Sequence, residues 1–352
     1  DSHCIMGTFA ADLDLLVQAI QTVSSTKNYW LIRTQSGSLY QTFITNNYIS
    51  IGHKEVSIEF LKAQKNVYAT NESLVINEIK QKIQTYHALD EEPLDKRNIS
   101  LIASQIVRFA YDIKIGDVII IPSFNSDDVS FGVIESEQWA SPYYNNSKDN
   151  SLLKRPVRWI KEVRRRELDP YLYRMFTAHQ AVNKVNDYAE IIERSVNDLF
   201  ILEDEAHFVI NVGSDTIAAK NLFGLGASLM EILDEISEKF VLGISSEDLE
   251  VTININSPGK IDIKSKVKKT TVVFGLILLL CGGGYEAADG TKLATDGLPG
   301  IIKTIDEYLS HRQERELKSD IFTTYKDSLQ IKDPEDILLL LKQVSENKDV
   351  AK

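Results

Sequence analysis

The stretch "KIGDVIIIPS", Lys114 to Ser123, constrains the fold of this chain more than any other. Val118 to Ile121 is an unbroken apolar run, three of its four residues isoleucine, with Gly116-Asp117 before it and Pro122-Ser123 after it. A short β-branched run bounded by turn-formers is a strand. A strand with no polar face is buried on both sides. The surrounding segments supply partners. "NYWLIRTQSGSLYQTFITNNYISIG" reads as strand, polar turn, short helix and strand. "EVSIEFLKAQ" and "ESLVINEIKQKIQTYH" are helical, and "SLIASQIVRFAYDI" is an amphipathic helix with Ile102, Ile106, Phe109 and Ala110 on one face. "VSFGVIES" and "RPVRWIKEV" are two further strands.

With 352 residues the chain accommodates roughly two domains. The texture changes after Arg174. "TAHQAVNKVNDYAEIIERSVNDLFIL" spaces Val182, Val185, Tyr188, Ile191, Ile192 and Val196 near the helical period and predicts a connecting helix over 176–205. A second, α/β domain is expected over 206–312. It would contain the helix "GASLMEILDEISEKF" and a hairpin, "LEVTININSPGKIDIKS", with Val251, Ile253 and Ile255 on one face and a Ser-Pro-Gly turn. "LPGIIKTIDEYLSHRQEREL" reads as a closing helix, and residues 313–352 as a helical tail. Residues 1–27 carry Leu13, Leu16, Val17 and Ile20 at helical spacing, a docking or oligomerising helix ahead of the first domain. The expected fold class is α+β.

Cys4 and Cys281 are distant and in unlike contexts, which fits neither a disulfide framework nor a zinc ribbon and points to a reducing, cytoplasmic setting. The N-terminal residues have no basic stretch, and Asp12 and Asp14 interrupt their apolar part, so they do not read as a secretory signal. The segment 270–285, "TTVVFGLILLLCGGGY", is uncharged and follows Lys264, Lys266, Lys268 and Lys269. It is short for a spanning helix, which needs about 20 apolar residues. Burial in a large core is the first reading. The lysine flank keeps a membrane-inserting one open.

Few motifs carry chemistry. There is no G-x-S-x-G, and His3, His53, His87, His179, His207 and His311 are dispersed, forming no H-E-x-x-H and no metal motif. "GGGYEAADGTK" and "FGLGAS" fall short of a phosphate-binding loop. No cofactor is expected. One enzymatic alternative stands: a restriction-type nuclease core, with an acidic residue, Asp248 or Glu250, before a strand and Asp262-Ile263-Lys264 on the next. Its carboxylates would hold Mg²⁺ and its lysine would position water.

The charge distribution suggests a binder instead. The formal net charge is −12, yet "RPVRWIKEVRRREL" gathers Arg155, Arg158, Lys161, Arg164, Arg165 and Arg166 around Trp159. A local basic face binds phosphates even on an acidic protein, because the field acts over about 8–10 Å. Trp30, Phe131 and Trp159 sit on successive strands, with Trp139, Tyr143 and Tyr144 in the loop between. They are the materials of an aromatic base pocket with a cationic rim.

The order "YWLIRTQSG", "ISIG", "IASQIVRFAYDIKIGDVIIIPS", "FGVIES", "RPVRWIKEV" resembles the domain that precedes the nuclease in some bacterial Mrr-type restriction endonucleases, itself similar to the EVE and YTH members of the PUA-like superfamily. The resemblance covers about residues 28–175. It implies a small twisted barrel-like sheet and a pocket near Trp30, Phe131 and Trp159, with Gly116 and Asp117 as turn-formers and Gly132 and Arg158 at matching positions. It implies a prokaryotic anti-phage or genome-defence protein that senses DNA, RNA or a modified nucleotide, its C-terminal part assembling as a homo-oligomer or acting as effector. A membrane-inserting or structural assembly protein is the remaining alternative.

Overall fold

The computed structural model describes residues 2–20, 22–23, 27–137, 149, 151–214, 216–254, 259–280, 324–331, 336–337 and 339–341. In chain order the elements are α1 (Ser2–Ala19), β1 (Thr22–Val23), β2 (Tyr29–Ile32), α2 (Tyr40–Asn46), β3 (Tyr48–Ile51), α3 (Ile58–Thr70), α4 (Glu72–Tyr86), α5 (Lys96–Val107), β4 (Val118–Pro122), β5 (Asp128–Val133), β6 (Leu153–Pro156), β7 (Arg158–Arg164), β8 (Val182–Lys184), α6 (Ala189–Val196), β9 (Leu199–Leu202), β10 (Glu205–Val212), α7 (Ala219–Phe240), β11 (Glu250–Asn254), β12 (Gly259–Ser265) and α8 (Lys268–Leu280). Helices and sheets mix in an α+β arrangement.

The chain forms two compact units, one of residues 26–192 and one of residues 1–25 with 193–352. In sequence, the first is inserted into the second. The boundary therefore falls inside α6 and not near residue 176. The N-terminal helix, expected to precede the first domain as a separate element, belongs with the C-terminal half: Leu13, Leu16 and Ile20 enter that unit's core.

In residues 26–192 a five-stranded sheet runs in the order β7-β5-β4-β2-β8. The apolar run 118–121 is its central strand and is fully buried, as its composition demands. β2 and β4 are parallel, a pairing that needs a long crossover, and α2 to α5 lie within it. Ser57, Asn71 and Asp95 cap α3, α4 and α5 through their side chains. Val75, Ile79 and Ile83 form a buried stripe at i, i+4 on α4 and share a core with Phe43, Leu61, Ile106, Trp30, Ile119 and Ile121. A π turn, Arg108–Asp112, extends α5. Its extra residue re-phases the buried stripe, so that Phe109, Ala110 and Tyr111 are all enclosed. Among the described residues the sheet is open, with β7 and β8 as edges, and β3–β6 is a separate two-stranded ribbon.

Two expectations fail here for one reason, long-range strand pairing. The periodic stretch read as a connecting helix over 176–205 is instead β8, a 3₁₀ turn (Asn186–Tyr188), α6 and β9. Residues 182–184 are held extended against β2. Gln105 Oε1 accepts from Val182 N at 2.6 Å, and Asn186 Oδ1 accepts from Tyr29 N at 2.9 Å. "RPVRWIKEV" is likewise not one strand. It breaks after Pro156, so that β6 pairs with β3 while β7 pairs with β5.

The second unit has the sheet order β1-β9-β10-β12-β11. The two strands of the expected hairpin pair, with Val251 opposite Ile263 and Ile253 opposite Ile261. One face of this sheet packs Phe208, Ile210, Ile261 and Ile263 with α1, α7 and α8. α8 has 13 residues, about 20 Å at 1.5 Å per residue, against a hydrocarbon layer of about 30 Å. Every residue from Thr270 to Leu280 is buried in the core, and no described helix is long and apolar enough to cross a membrane. Residues 281–285 of the apolar segment, the closing helix expected after Leu298, and Trp139, Tyr143 and Tyr144 lie outside the described residues.

Candidate nucleic-acid interface

The break at Pro156 divides the basic run into cations with opposite fates. On β6, Arg155 points inward and is 2 % exposed. Its Nη1 donates to the carbonyls of Ile113 (2.7 Å) and Phe109 (3.2 Å), oxygens left without intrahelical partners where α5 and its π turn end. Burial lowers its pKa from the ordinary 12.5 to about 10, and it remains a cation at neutral pH. Arg155, assigned to a phosphate-binding rim from sequence, is therefore a buried tie between a ribbon and a helix end. Lys154 is buried too. It lies 3.7 Å from Asp149 and donates to the Asp149 carbonyl at 3.2 Å.

Among the described residues β7 is an edge strand, and its cations fall on both faces of the sheet, Arg158 and Lys161 on the face of Phe131 and Arg164 on that of the tryptophans. Arg158, Arg164 and Arg166 are exposed, while Lys161 and Arg165 are half-buried. Arg158 is ion-paired with Glu135. The strand's one carboxylate, Glu162, accepts from Tyr40 Oη at 2.8 Å. Burial raises the Tyr40 phenol far above its usual pKa, so it remains a donor. At the exit of β7, Arg165 is fixed from three sides. Its N–H donates to Asp127 O (2.8 Å), its Nη1 to Asn125 O (3.1 Å), and its guanidinium lies 4.6 Å from the ring centroid of Tyr173. Tyr173 Oη in turn donates to Arg165 O at 2.8 Å.

The turn Phe124–Ser126 that meets Arg165 carries Phe124, 66 % exposed. It is held because its backbone presses on Gly37: a Cβ on Gly37 would lie 2.3 Å from Phe124 N. Gly37 has φ +91°, where glycine alone is unstrained. An exposed ring thus stands beside a fixed arginine stacked on a second ring, the arrangement on which bases stack along a cationic track. Sequence reasoning missed Phe124 and Tyr173. The available signal was an aromatic within a turn-rich stretch, "PSFNSDD".

The predicted three-aromatic slot does not form. The registers Trp30–Ile119, Ile119–Gly132 and Gly132–Trp159 put both tryptophans on one sheet face. Phe131, one residue earlier on β5 and paired with Ile120 and Lys161, points to the other face. Trp30 and Phe131 are 2 % and 0 % exposed and fill cores. Trp30 Nε1 donates to Asp117 Oδ2 at 2.8 Å, and the same carboxylate accepts from Asn28 N and Lys114 N, both at 2.9 Å. Gly116 makes the turn with φ +88°, and Asp117 locks it. Trp159 is half-buried, with Nε1 donating to Phe43 O at 3.1 Å. It crosses Gly132, where a Cβ would fall 2.7 Å from its ring. A bulge beside it leaves Ile160 unpaired and 38 % exposed.

The nuclease candidates are spread over different tasks. Asp248 closes a capping box with Ser245. Asp262 is 2 % exposed, with His207 Nδ1 at 3.2 Å and Arg194 Nε at 3.7 Å, and the His207 ring stacks on Phe200. Lys264 shares the Asp262 face of β12 but is paired with Glu205 at 3.1 Å and Glu250 at 3.6 Å. The carboxylate expected to hold Mg²⁺ is thus enclosed, with His207 and Arg194 beside it.

Residues 28–186 match the model of a family described as "Domain of unknown function (DUF8426)", a span close to the inserted unit. No curated protein and no solved structure matches the chain.

Proposed function

We propose that residues 26–192 bind nucleic acid, DNA or RNA, along the outer side of β7 and its exit. The observation that carries this reading is five cations and one carboxylate in the nine residues from Arg158 to Arg166, on an edge strand of a chain with net charge −12. Phe124 and the Arg165–Tyr173 stack supply planar surface beside those cations. The PUA/EVE-like order of motifs supports the same reading, as does the place of such domains beside restriction nucleases. On that ground the protein is read as a prokaryotic genome-defence component working in the cytoplasm, with the unit of residues 1–25 and 193–352 assembling copies or acting as effector.

Anisotropy titrations of the full chain with single-stranded and duplex DNA and RNA, with and without base modification, test this. Binding is expected at low salt, weakened by Phe124→Ala and by Arg165→Gln. A chain that binds none of these polymers at low salt refutes it.

A further inference from the structure

The sheet of the unit formed by residues 1–25 and 193–352 ends on a strand that its own core does not cover. Among the described residues β11 is an edge of that sheet, paired on one side with β12. Ile261 and Ile263 on β12 are 6 % and 3 % exposed, yet their cross-strand neighbours Ile253 and Val251 are 40 % and 42 % exposed. Directly opposite residues share a sheet face. Val251 and Ile253 therefore stand on the face that packs with α1, α7 and α8, outside the core those helices close. Glu250 and Thr252, on the other face, are exposed as well. A β-branched edge strand left open in this way is a template for another strand.

The strand itself says which one. β11 reads Glu-Val-Thr-Ile-Asn, a sequence that complements itself when reversed. Set antiparallel about a two-fold axis at Thr252, it places Val251 opposite Ile253 of a second copy, Thr252 opposite Thr252, and Glu250 opposite Asn254. Apolar residues meet apolar residues, hydroxyl meets hydroxyl, and no carboxylate meets a carboxylate. Cross-strand pairs of these kinds stabilise a sheet, and like charges directly opposite destabilise it. A shift of one residue would set Val251 against Thr252 and Glu250 against Ile253, and lose the match. Glu250 also lies 3.6 Å from Lys264 of its own chain, so its charge is already answered. Edge strands that stay single are commonly guarded by lysine, proline or a bulge. β11 carries neither residue and pairs with β12 in unbroken register.

We propose that β11 is the seam of a homodimer, in which two copies join their sheets edge to edge, antiparallel about a two-fold axis at Thr252. Two five-stranded sheets become one of ten. Val251 and Ile253 of both copies then form one apolar cluster beside the axis. A two-fold contact of this kind is self-complementary and closed, so it gives dimers and no fibre. The proposal rests on the reading of this unit as the part that assembles copies, and names the surface that does so.

The test is sedimentation of the full chain over a range of concentrations, where the mass of two chains is expected. Ile253→Lys sets a charge into the apolar seam and should shift the mass to one chain. Val251→Lys should do the same and carries the comparison where circular dichroism shows that the first variant does not fold. Cysteines read the register. Opposed residues of an antiparallel pair have Cα atoms about 4.5–5.5 Å apart, within the disulfide range of about 4.4–6.8 Å. Thr252→Cys should therefore give a covalent dimer on mild oxidation. Glu250→Cys would stand about 14 Å along the strand from its own mate and should not. The oxidised wild type is the blank for Cys4 and Cys281. A chain that is monomeric at every concentration overturns the proposal and the assembly reading together, and leaves the edge to a strand of another protein. A dimer that survives both lysine substitutions, with no Thr252→Cys cross-link, overturns this seam alone and places assembly elsewhere.

Discussion

Removing two charges from the exit of β7 gives the sharpest test of the proposed interface. Arg164 and Arg166 are exposed, so Arg164→Gln with Arg166→Gln should leave the fold intact, a point a thermal melt confirms. Of the five cations between Arg158 and Arg166, Arg158 is taken by Glu135, and Arg164, Arg165 and Arg166 at the strand exit are assigned to phosphates. Counterion release gives a slope of log K against log salt of about −0.7 per contact on a single strand, hence about −2.1 for three contacts and about −0.7 for one. Between about 50 and 200 mM salt the wild type should lose about 18-fold in affinity and the double variant only about 3-fold. On duplex the slopes become about −2.7 and about −0.9. The assay is fluorescence anisotropy with a labelled oligonucleotide at four or more salt concentrations. A double variant that keeps the wild-type slope would place the phosphate contacts elsewhere and refute the assignment of this edge.

Three further outcomes follow from the packing. Arg155→Met should destabilise the chain by about 2–5 kcal/mol, because two buried carbonyls lose their donor; a shifted urea midpoint is the readout, and weaker nucleic-acid binding at unchanged stability would return Arg155 to the interface. Asp117→Asn replaces one acceptor oxygen with a donor where three N–H groups converge, and should cost about 3 kcal/mol and alter Trp30 fluorescence; an unchanged melt and spectrum would show that the hub is dispensable. The Glu55–His87–Asp90 cluster makes stability depend on pH in two directions. The hydrogen bond to Asp90, foremost, raises the His87 pKa above 6.5, so its contribution is full below 6.5 and is lost as pH rises through the raised value. Burial works to raise the Glu55 pKa, but hydrogen bonds from His53 and His87 prevail and lower it from 4.5 to about 2, so its contribution is present above 4.5 and is lost as pH falls towards 2. The wild-type minus Glu55→Gln stability difference should therefore be greatest between pH 4.5 and 6.5; a difference flat with pH would contradict the pairing.

The split of the basic run changes what that run means. As an uninterrupted strand it would offer Arg155 to solvent with the others. Pro156 has no N–H to continue a ladder, the strand direction changes there, and Val157 N bonds to Asn47 O at 2.9 Å. Arg155 is left in the ribbon with β3, holding a helix end, while residues from Arg158 onward run along the outside of β5. One charge-rich segment thus serves the interior and the surface at once.

Local pattern alone determined the elements whose environment is written in their own residues. The run 118–121 could only be a central strand, since neither face tolerates water. Val251, Ile253, Ile261 and Ile263 alternate along the sequence on either side of Ser-Pro-Gly, which is enough to read two paired strands. The apolar segment before Cys281 reads first as a buried core element from its length, and the tertiary structure makes it a helix. Tertiary structure decided everything that depends on a distant partner. Residues 182–184 carry a helical period and yet form a strand, because β2 offers an unpaired edge. Phe131 and Trp159 sit on neighbouring strands and yet face opposite ways, because register and a bulge choose the face. The chain's first 25 residues join its last 160 because their apolar stripe finds its core there. His53 and His87, 34 positions apart by number, meet at Glu55 only once α3 and α4 have folded back. Periodicity records which residues avoid water, and the pairing of remote segments determines what they avoid it with.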